Sequence, residues 1–167
     1  MRAFSSNVTT PNIEFSRDAG DYVLRTSVLL PVPIDRVFPF FAAAENLARI
    51  TPPELGFLVR TPSPIDMRSG ALIDYTIKLW GLPLRWRTKI TRWNPPFEFE
   101  DTQLRGPYAK WVHRHTFTAA GVETVMADEV RYRLPFGLLG RPAHFIVRRQ
   151  LRRIFTYREQ VMRSLLG

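Results

Sequence analysis

The sequence predicts an α+β fold in which an antiparallel sheet of seven strands packs against one long C-terminal helix. Two observations lead to this prediction. Across residues 57–134, apolar side chains recur at every second position in short segments that glycine, proline and asparagine separate. Across residues 147–165, the apolar period changes to that of an amphipathic helix. A sheet with one apolar face and a helix with one apolar stripe bury these surfaces against each other.

The strands and a short helical pair are predicted in order along the chain. The first strand, Tyr22–Leu30, ends at the Pro-Val-Pro sequence of residues 31–33. The helical pair then begins near Asp35 and closes at residues 51–55, TPPEL. Short connections make the following strands antiparallel neighbours. These six strands are Phe57–Arg60, Ala71–Trp80, Leu84–Trp93, Phe97–Leu104, Lys110–Thr118 and Glu123–Leu134.

The composition fits one globular domain. The 167 residues are 45% hydrophobic and 13% aromatic, which is enough to build a full core. Because the chain has no cysteine, disulfides, thiolate metal sites and a cysteine nucleophile are excluded.

No signal-peptide pattern and no run near the ~18 apolar residues of a membrane span is present, so we expect a cytoplasmic protein. We expect residues 1–20 to be a poorly ordered or peripheral lead-in and residues 21–167 to be a single domain.

The C-terminal helix contains one residue that breaks its pattern. Arg158 falls near the centre of the apolar stripe, where a solvated arginine is not expected. Its guanidinium therefore needs an internal partner, and the candidates are Asp128, Asp101 and the carboxylate of a bound ligand. The apolar stripe itself consists of Val147, Leu151, Ile154, Phe155, Val161, Met162 and Leu165.

The net charge of +9 is concentrated at the C-terminal end of the chain. Residues 141–167 contain seven arginines and one glutamate, which account for six of the nine net positive charges. Nucleic-acid binding is not expected, because the aromatic residues alternate toward the interior instead of interleaving with the basic groups. The basic face is either a solvated surface or a surface for an anionic membrane or another acidic partner.

Residues 110–130 bring two histidines and one aspartate to the same face of the sheet. If the chain turns near residues 120–121, His113 lies opposite Asp128 at a Cβ separation of ~5 Å, with His115 two positions along. In a catalytic interpretation, Asp128 orients an imidazole that removes a proton α to a carbonyl. In a structural interpretation, the inward histidine only provides the hydrogen-bond partner that a buried aspartate requires.

We expect no metal site and no cofactor. The third histidine, His144, lies at the start of the long helix, and His113 and His115 could share an ion with Asp128 only if the strand opened toward solvent. The sequence has no nucleophile elbow, no zinc-binding HExxH helix, no phosphate-binding loop and no dinucleotide glycine fingerprint.

Four stretches of the sequence resemble one superfamily. They are LPVPIDRVFPFFAAAENLARITPP, GPYAKWVHRHTF, DEVRYRLPFGLLG and RRQLRRIFTYREQVMRSLL. Together they resemble the ligand-binding SRPBCC proteins, which include START lipid-transfer domains, the birch-pollen allergen and polyketide cyclase/dehydrases, over roughly residues 21–166. The resemblance implies the helix-grip fold, in which a curved seven-stranded sheet wraps around the long helix and encloses an apolar cavity. It does not identify the ligand, because this scaffold hosts carriers, cyclases and hydrolases.

We therefore expect binding of a small hydrophobic molecule, such as a lipid, a polyketide or an aromatic compound, without catalysis. One alternative is a metal-free cyclase/dehydrase-type enzyme that uses His113, Asp128 and Tyr132 for acid–base chemistry. Another is a membrane-surface or partner-binding module that acts through the basic helix. The residues expected to line the cavity are Tyr75, Ile77, Trp86, Phe99, Trp111, His113, His115, Met126, Tyr132, Phe155 and Arg158.

The apolar turn LPFGLLGRP, residues 134–142, is expected to cap this cavity. Phe136, Leu138 and Leu139 are too apolar for an ordinary exposed loop. A membrane contact during ligand exchange is the alternative for this turn. The ligand and the oligomeric state are left open by the sequence.

Overall fold

A computed structural model describes residues 12–79, 81–135 and 143–166 of the chain. The strands are β1 (Ile13–Asp18), β2 (Asp21–Leu30), β3 (Leu58–Val59), β4 (Leu72–Leu79), β5 (Leu82–Asn94), β6 (Glu98–Arg105), β7 (Lys110–Ala120) and β8 (Glu123–Arg133). The helices are α1 (Ile34–Ala42), two 3₁₀ segments (Ala44–Ala48 and Pro53–Leu55) and α2 (His144–Leu166).

All strands belong to one antiparallel sheet, in the order β1-β2-β8-β7-β6-β5-β4-β3. The predicted α+β architecture with a long C-terminal helix is confirmed, but the sheet has eight strands where seven were predicted. The additional strand, β1, pairs with β2 along its whole length and forms one edge of the sheet. Only Ile13 of β1 is fully buried, so this strand lacks the repeated apolar pattern by which strands are recognised in a sequence.

The predicted helical pair is a regular helix followed by two short 3₁₀ segments. Helix α1 buries Val37, Phe38 and Phe41 against the sheet and ends at Ala42. Gly56 follows the second 3₁₀ segment with a φ of +49°, a left-handed conformation that favours glycine.

The hairpin between β7 and β8 has a register different from the predicted one. Ala120 pairs with Glu123, so the turn consists of Gly121 and Val122, one position later than expected. Gly121 has a φ of +67°, which is the backbone conformation that a two-residue hairpin requires at its first turn position. The shift places His115 opposite Asp128, where the sequence had predicted His113.

Helix α2 packs across the β1–β2–β8 side of the sheet. Its buried face contains Leu151, Phe155 and Met162 as predicted, and it also contains Arg158. Leu165, predicted on the same stripe, is 42% exposed because it lies in the last turn of the helix, beyond the core. Phe97, predicted as the first residue of a strand, instead precedes β6 in a turn and is 55% exposed.

No helix within the three described ranges is both long enough and apolar enough to cross a membrane. Trp80, predicted as the last residue of a strand, and the predicted capping residues Phe136, Leu138 and Leu139 lie outside the described residues.

Candidate functional site

A cavity of about 150 Å³ lies between the inner face of β4–β7, the segment from α1 to the second 3₁₀ helix, and α2. Aromatic and aliphatic side chains form most of its wall, and a few titratable groups interrupt them. The structure brings most of the residues predicted from the sequence to this wall. They are Tyr75, Ile77, Trp86, Phe99, Trp111, His113, His115, Phe155 and Arg158.

Two of the predicted residues do not reach the cavity wall. Met126 lies in the core and packs in one cluster with Met162 of α2. Tyr132 packs with Phe155 of α2, and its hydroxyl lies 3.1 Å from Nε2 of His144, within hydrogen-bond distance. Both residues belong to β8, and their side chains pack against side chains of α2.

Thr88, Asp101 and Tyr108 are among the wall residues that were absent from the predicted set. Thr88 and Asp101 follow the inward alternation of Trp86 and Phe99, so period two was sufficient to find them. Tyr108 lies in the connection between β6 and β7, where no periodicity indicates the direction of a side chain.

The aspartate and both histidines of the β7–β8 hairpin form a buried cluster with Asp101 of β6. Nε2 of His113 forms a 2.9 Å hydrogen bond with Oδ1 of Asp128. Nδ1 of His115 lies 2.8 Å from the same oxygen, but it is not aligned for a hydrogen bond. On the opposite side of the rings, Oδ2 of Asp101 lies 3.9 Å from Nδ1 of His113 and 3.5 Å from Nε2 of His115.

Burial and mutual contact give the members of this cluster different acidities. Burial lowers the pKa of His113, and the neighbouring His115 lowers it further. Burial acts in the same direction on His115, but the carboxylates of Asp128 and Asp101 outweigh it and raise the pKa of that imidazole. Burial alone would raise the pKa of Asp128, yet the two imidazoles hold it well below the ordinary value for a carboxyl group. Asp128 is therefore an anion in the interior of the protein.

Arg158 is a buried cation on the cavity wall, with 8% of its surface exposed. Within the described residues, its Nε and Nη1 have no hydrogen-bond partner, and no carboxylate forms an ion pair with it. The predicted pairing with Asp128 or Asp101 is therefore not formed. The guanidinium carbon lies 4.9 Å from the ring centroid of Phe155, a cation–π contact that compensates only partly for its desolvation.

Comparison with known proteins identifies a family that matches most of the chain. A family model described as "Polyketide cyclase / dehydrase and lipid transport" matches residues 30–156. No curated protein matches the sequence.

Three solved structures illustrate the similarity in fold. The ZhuI aromatase/cyclase from Streptomyces sp. R1128 superposes with a TM-score of 0.69 at 13% identity, covering 86% of this chain and 92% of the other. A START superfamily protein from Mycobacterium smegmatis has a TM-score of 0.65 at 11% identity, covering 86% and 98%. The major latex-like protein 151 from Panax ginseng has a TM-score of 0.61 at 10% identity, covering 86% and 96%. At these identities the likeness establishes the fold alone.

Proposed function

The chain belongs to the family described as polyketide cyclase/dehydrase and lipid transport, and from that premise we propose that it binds a small hydrophobic acid in the cavity beneath α2. One observation carries the proposal. The cavity is lined mainly by apolar side chains, yet Arg158 contributes to its wall a buried guanidinium whose Nε and Nη1 have no hydrogen-bond partner among the described residues. A buried cation of this kind is stabilised when an anion enters beside it.

The size of the cavity supports a compact ligand. Its volume of about 150 Å³ is that of a site for a single substituted aromatic ring and is too small for an extended acyl chain. Tyr75 and Trp86 stack with a centroid separation of 5.7 Å, and Trp111 meets Trp86 edge to face at 5.4 Å. These rings offer the faces and edges against which an aromatic ligand packs.

The first test is native mass spectrometry of the purified protein, followed by organic extraction and identification of any released molecule. A bound aromatic or aliphatic acid supports the proposal, and a bound molecule without an acidic group contradicts the role of Arg158. If the protein has the mass of the ligand-free chain, candidate ligands are titrated into it. Because Trp86 and Trp111 line the cavity, tryptophan fluorescence reports its occupation.

The second test compares benzoate and 4-methylbenzoate with the matching amides. We expect the acids to bind the wild-type protein at least about tenfold more tightly, because only an acid neutralises the buried guanidinium. Arg158→Met removes this preference, whereas the control Arg149→Met, on the exposed face of the same helix, keeps it. Equal affinity for acid and amide in the wild-type protein would refute the proposal.

A second candidate function is acid–base turnover of the bound molecule. The hydrogen bond between Nε2 of His113 and Asp128 favours this function, because it fixes the orientation of the imidazole. The other nitrogen, Nδ1, then faces the side of the cavity. Tyr132 is omitted from this candidate, because its hydroxyl meets His144 and lies away from the cavity. His113→Asn separates the two functions. A carrier keeps most of its affinity, and an enzyme loses turnover by about 100-fold or more.

A further inference from the structure

We infer that Asp101, His113 and His115 form a binding site for one divalent first-row transition metal ion, and that Asp128 holds the two imidazoles in position. This inference concerns a bound ion and does not depend on the proposed organic ligand. One ligand atom from each of these residues lies within 4.8 Å of those of the other two. Oδ2 of Asp101 faces Nδ1 of His113 and Nε2 of His115, which we take as the ligand atoms.

The spacing of these atoms fits a shared ion better than direct contact. Asp101 stays 3.9 Å from His113 and 3.5 Å from His115, beyond the about 2.7–3.2 Å of an ordinary hydrogen bond. Two ligands that each lie about 2.0–2.2 Å from one ion are separated by about 3–3.6 Å. The separation between Asp101 and His115 lies within this range, and a side-chain rotation can shorten the longer separation between Asp101 and His113.

Asp128 supplies the outer contact that metal-binding histidines require. Its Oδ1 faces Nε2 of His113 at 2.9 Å and Nδ1 of His115 at 2.8 Å, so both rings turn their second nitrogen toward the same carboxylate. The hydrogen bond to Asp128 draws the N–H of His113 to Nε2 and leaves the lone pair of Nδ1 toward Asp101. His115 has its Nδ1 beside the same oxygen and its Nε2 on the side of Asp101. The two rings are held 3.8 Å apart between their centroids.

The site is built on adjacent strands of the sheet. Asp101 of β6 pairs directly with His113 of β7, and His115 pairs directly with Asp128 of β8. Ligands on paired strands are held more precisely than ligands on loops. The sequence had offered Asp128 as the only carboxylate for such an ion, whereas in the structure that role falls to Asp101, on the cavity side of the rings.

The set of donors determines the class of metal. Two imidazoles and one carboxylate suit Zn²⁺, Fe²⁺ or Co²⁺, while Mg²⁺ and Ca²⁺ prefer oxygen ligands alone. All three ligand residues belong to the cavity wall, so the remaining coordination positions open toward the cavity. Water or an anionic group would occupy them.

Cobalt titration tests the site without any organic ligand. The full-length protein is stripped with a chelator, titrated with CoCl₂ and followed by visible absorption and calorimetry. We expect one equivalent to bind, and we expect Asp101→Asn and His115→Ala to weaken binding by at least about 100-fold. Because the chain has no cysteine and three histidines, His144→Gln is the matched control and should bind as the wild-type protein does.

A second measurement uses the wild-type protein and so does not depend on the folding of a variant. In ¹⁵N spectra of the imidazoles during titration with ZnCl₂, we expect Nδ1 of His113 and Nε2 of His115 to shift, while His144 stays unchanged. Failure to bind one equivalent, unchanged affinity in Asp101→Asn, or shifts confined to His144 would each overturn the inference.

Discussion

His115, rather than His113, lies directly across the β7–β8 ladder from Asp128. His113 reaches the same carboxylate diagonally from its position opposite Val130, and it forms the 2.9 Å hydrogen bond. Both imidazoles therefore converge on one buried oxygen. Because the side-chain exposure of Asp128 is only 1%, water does not replace this acceptor when it is lost.

Removal of Asp128 is expected to be costly for stability. Asp128→Ala leaves His113 without its hydrogen-bond partner and both buried imidazoles without the adjacent carboxylate, and we expect the free energy of unfolding in urea to fall by about 3–5 kcal/mol. Asp101→Asn is the control, because Asp101 stays at least 3.5 Å from both rings, and it should cost less than about 1 kcal/mol. Equal costs would show that the hydrogen bond to Asp128 is not the main contact of the cluster.

Replacement of Arg158 should stabilise the ligand-free protein. Arg158→Met removes a buried cation that has no acceptor among the described residues and keeps a side chain of similar length. We expect the free energy of unfolding to rise by about 1–3 kcal/mol, measured by urea denaturation at neutral pH. Arg149→Met, on the exposed face of α2, should change it by less than about 0.5 kcal/mol. Destabilisation by Arg158→Met would indicate that the guanidinium already has a stabilising role without a ligand.

A second buried carboxylate gives the protein an acid-sensitive contact. Burial alone would raise the pKa of Asp21, but hydrogen bonds from Lys110 and Arg133 outweigh it and hold the pKa below the ordinary value of 3.8. Since the folded protein binds this proton less readily than the unfolded chain, the contribution of Asp21 to stability is complete above that value and is lost as the pH falls through the folded pKa.

The corresponding variant is Asp21→Asn. At pH 7 we expect it to cost about 1–3 kcal/mol, because two charged donors lose their anionic acceptor. The difference between variant and wild type should shrink as the pH falls below about 4 in urea titrations. Asp66→Asn, whose side chain is 81% exposed, serves as the control. A difference that is independent of pH would contradict the assignment.

The basic face of α2 predicts salt-sensitive binding to anionic vesicles. Reversing Arg149 and Arg153 to Glu should weaken co-sedimentation with phosphatidylserine-containing vesicles by at least about tenfold, because each basic group near such a surface contributes about 1 kcal/mol. Arg153 pairs with Glu54 at an exposed position, so its reversal should affect stability little. The same reversal at Arg36 and Arg60, which are exposed outside α2, is the control. Unchanged binding after the α2 reversal would exclude this surface as the contact.

The inward faces of the strands could be predicted from the sequence because side-chain direction in a strand depends on local backbone geometry alone. Alternation correctly placed Tyr75, Trp86 and Trp111 on the cavity wall. It failed where no alternation exists, as at Tyr108 in a connection. Alternation also failed where an inward side chain packs against another element instead of lining the cavity, as Met126 does beneath α2.

The register of β7 on β8 depends on where the chain turns between the two strands, so alternation within one strand does not predict it. A shift of the turn by one residue changes every facing pair by two positions and leaves each side chain on the same face of the sheet. The predicted contact between His113 and Asp128 is therefore confirmed, although the predicted register was wrong.

By itself, the sequence determined the antiparallel sheet, the amphipathic C-terminal helix, the inward histidines and the unusual position of Arg158. These follow from periodicity, which is a local property of the chain. Only the tertiary structure decided that Asp101 completes the histidine cluster and that Arg158 pairs with no carboxylate in the part of the chain that the structure describes. Both depend on how separate strands and α2 are placed relative to each other. Distances of a few ångströms between distant segments are set by packing of the whole core, which no single stretch of sequence encodes.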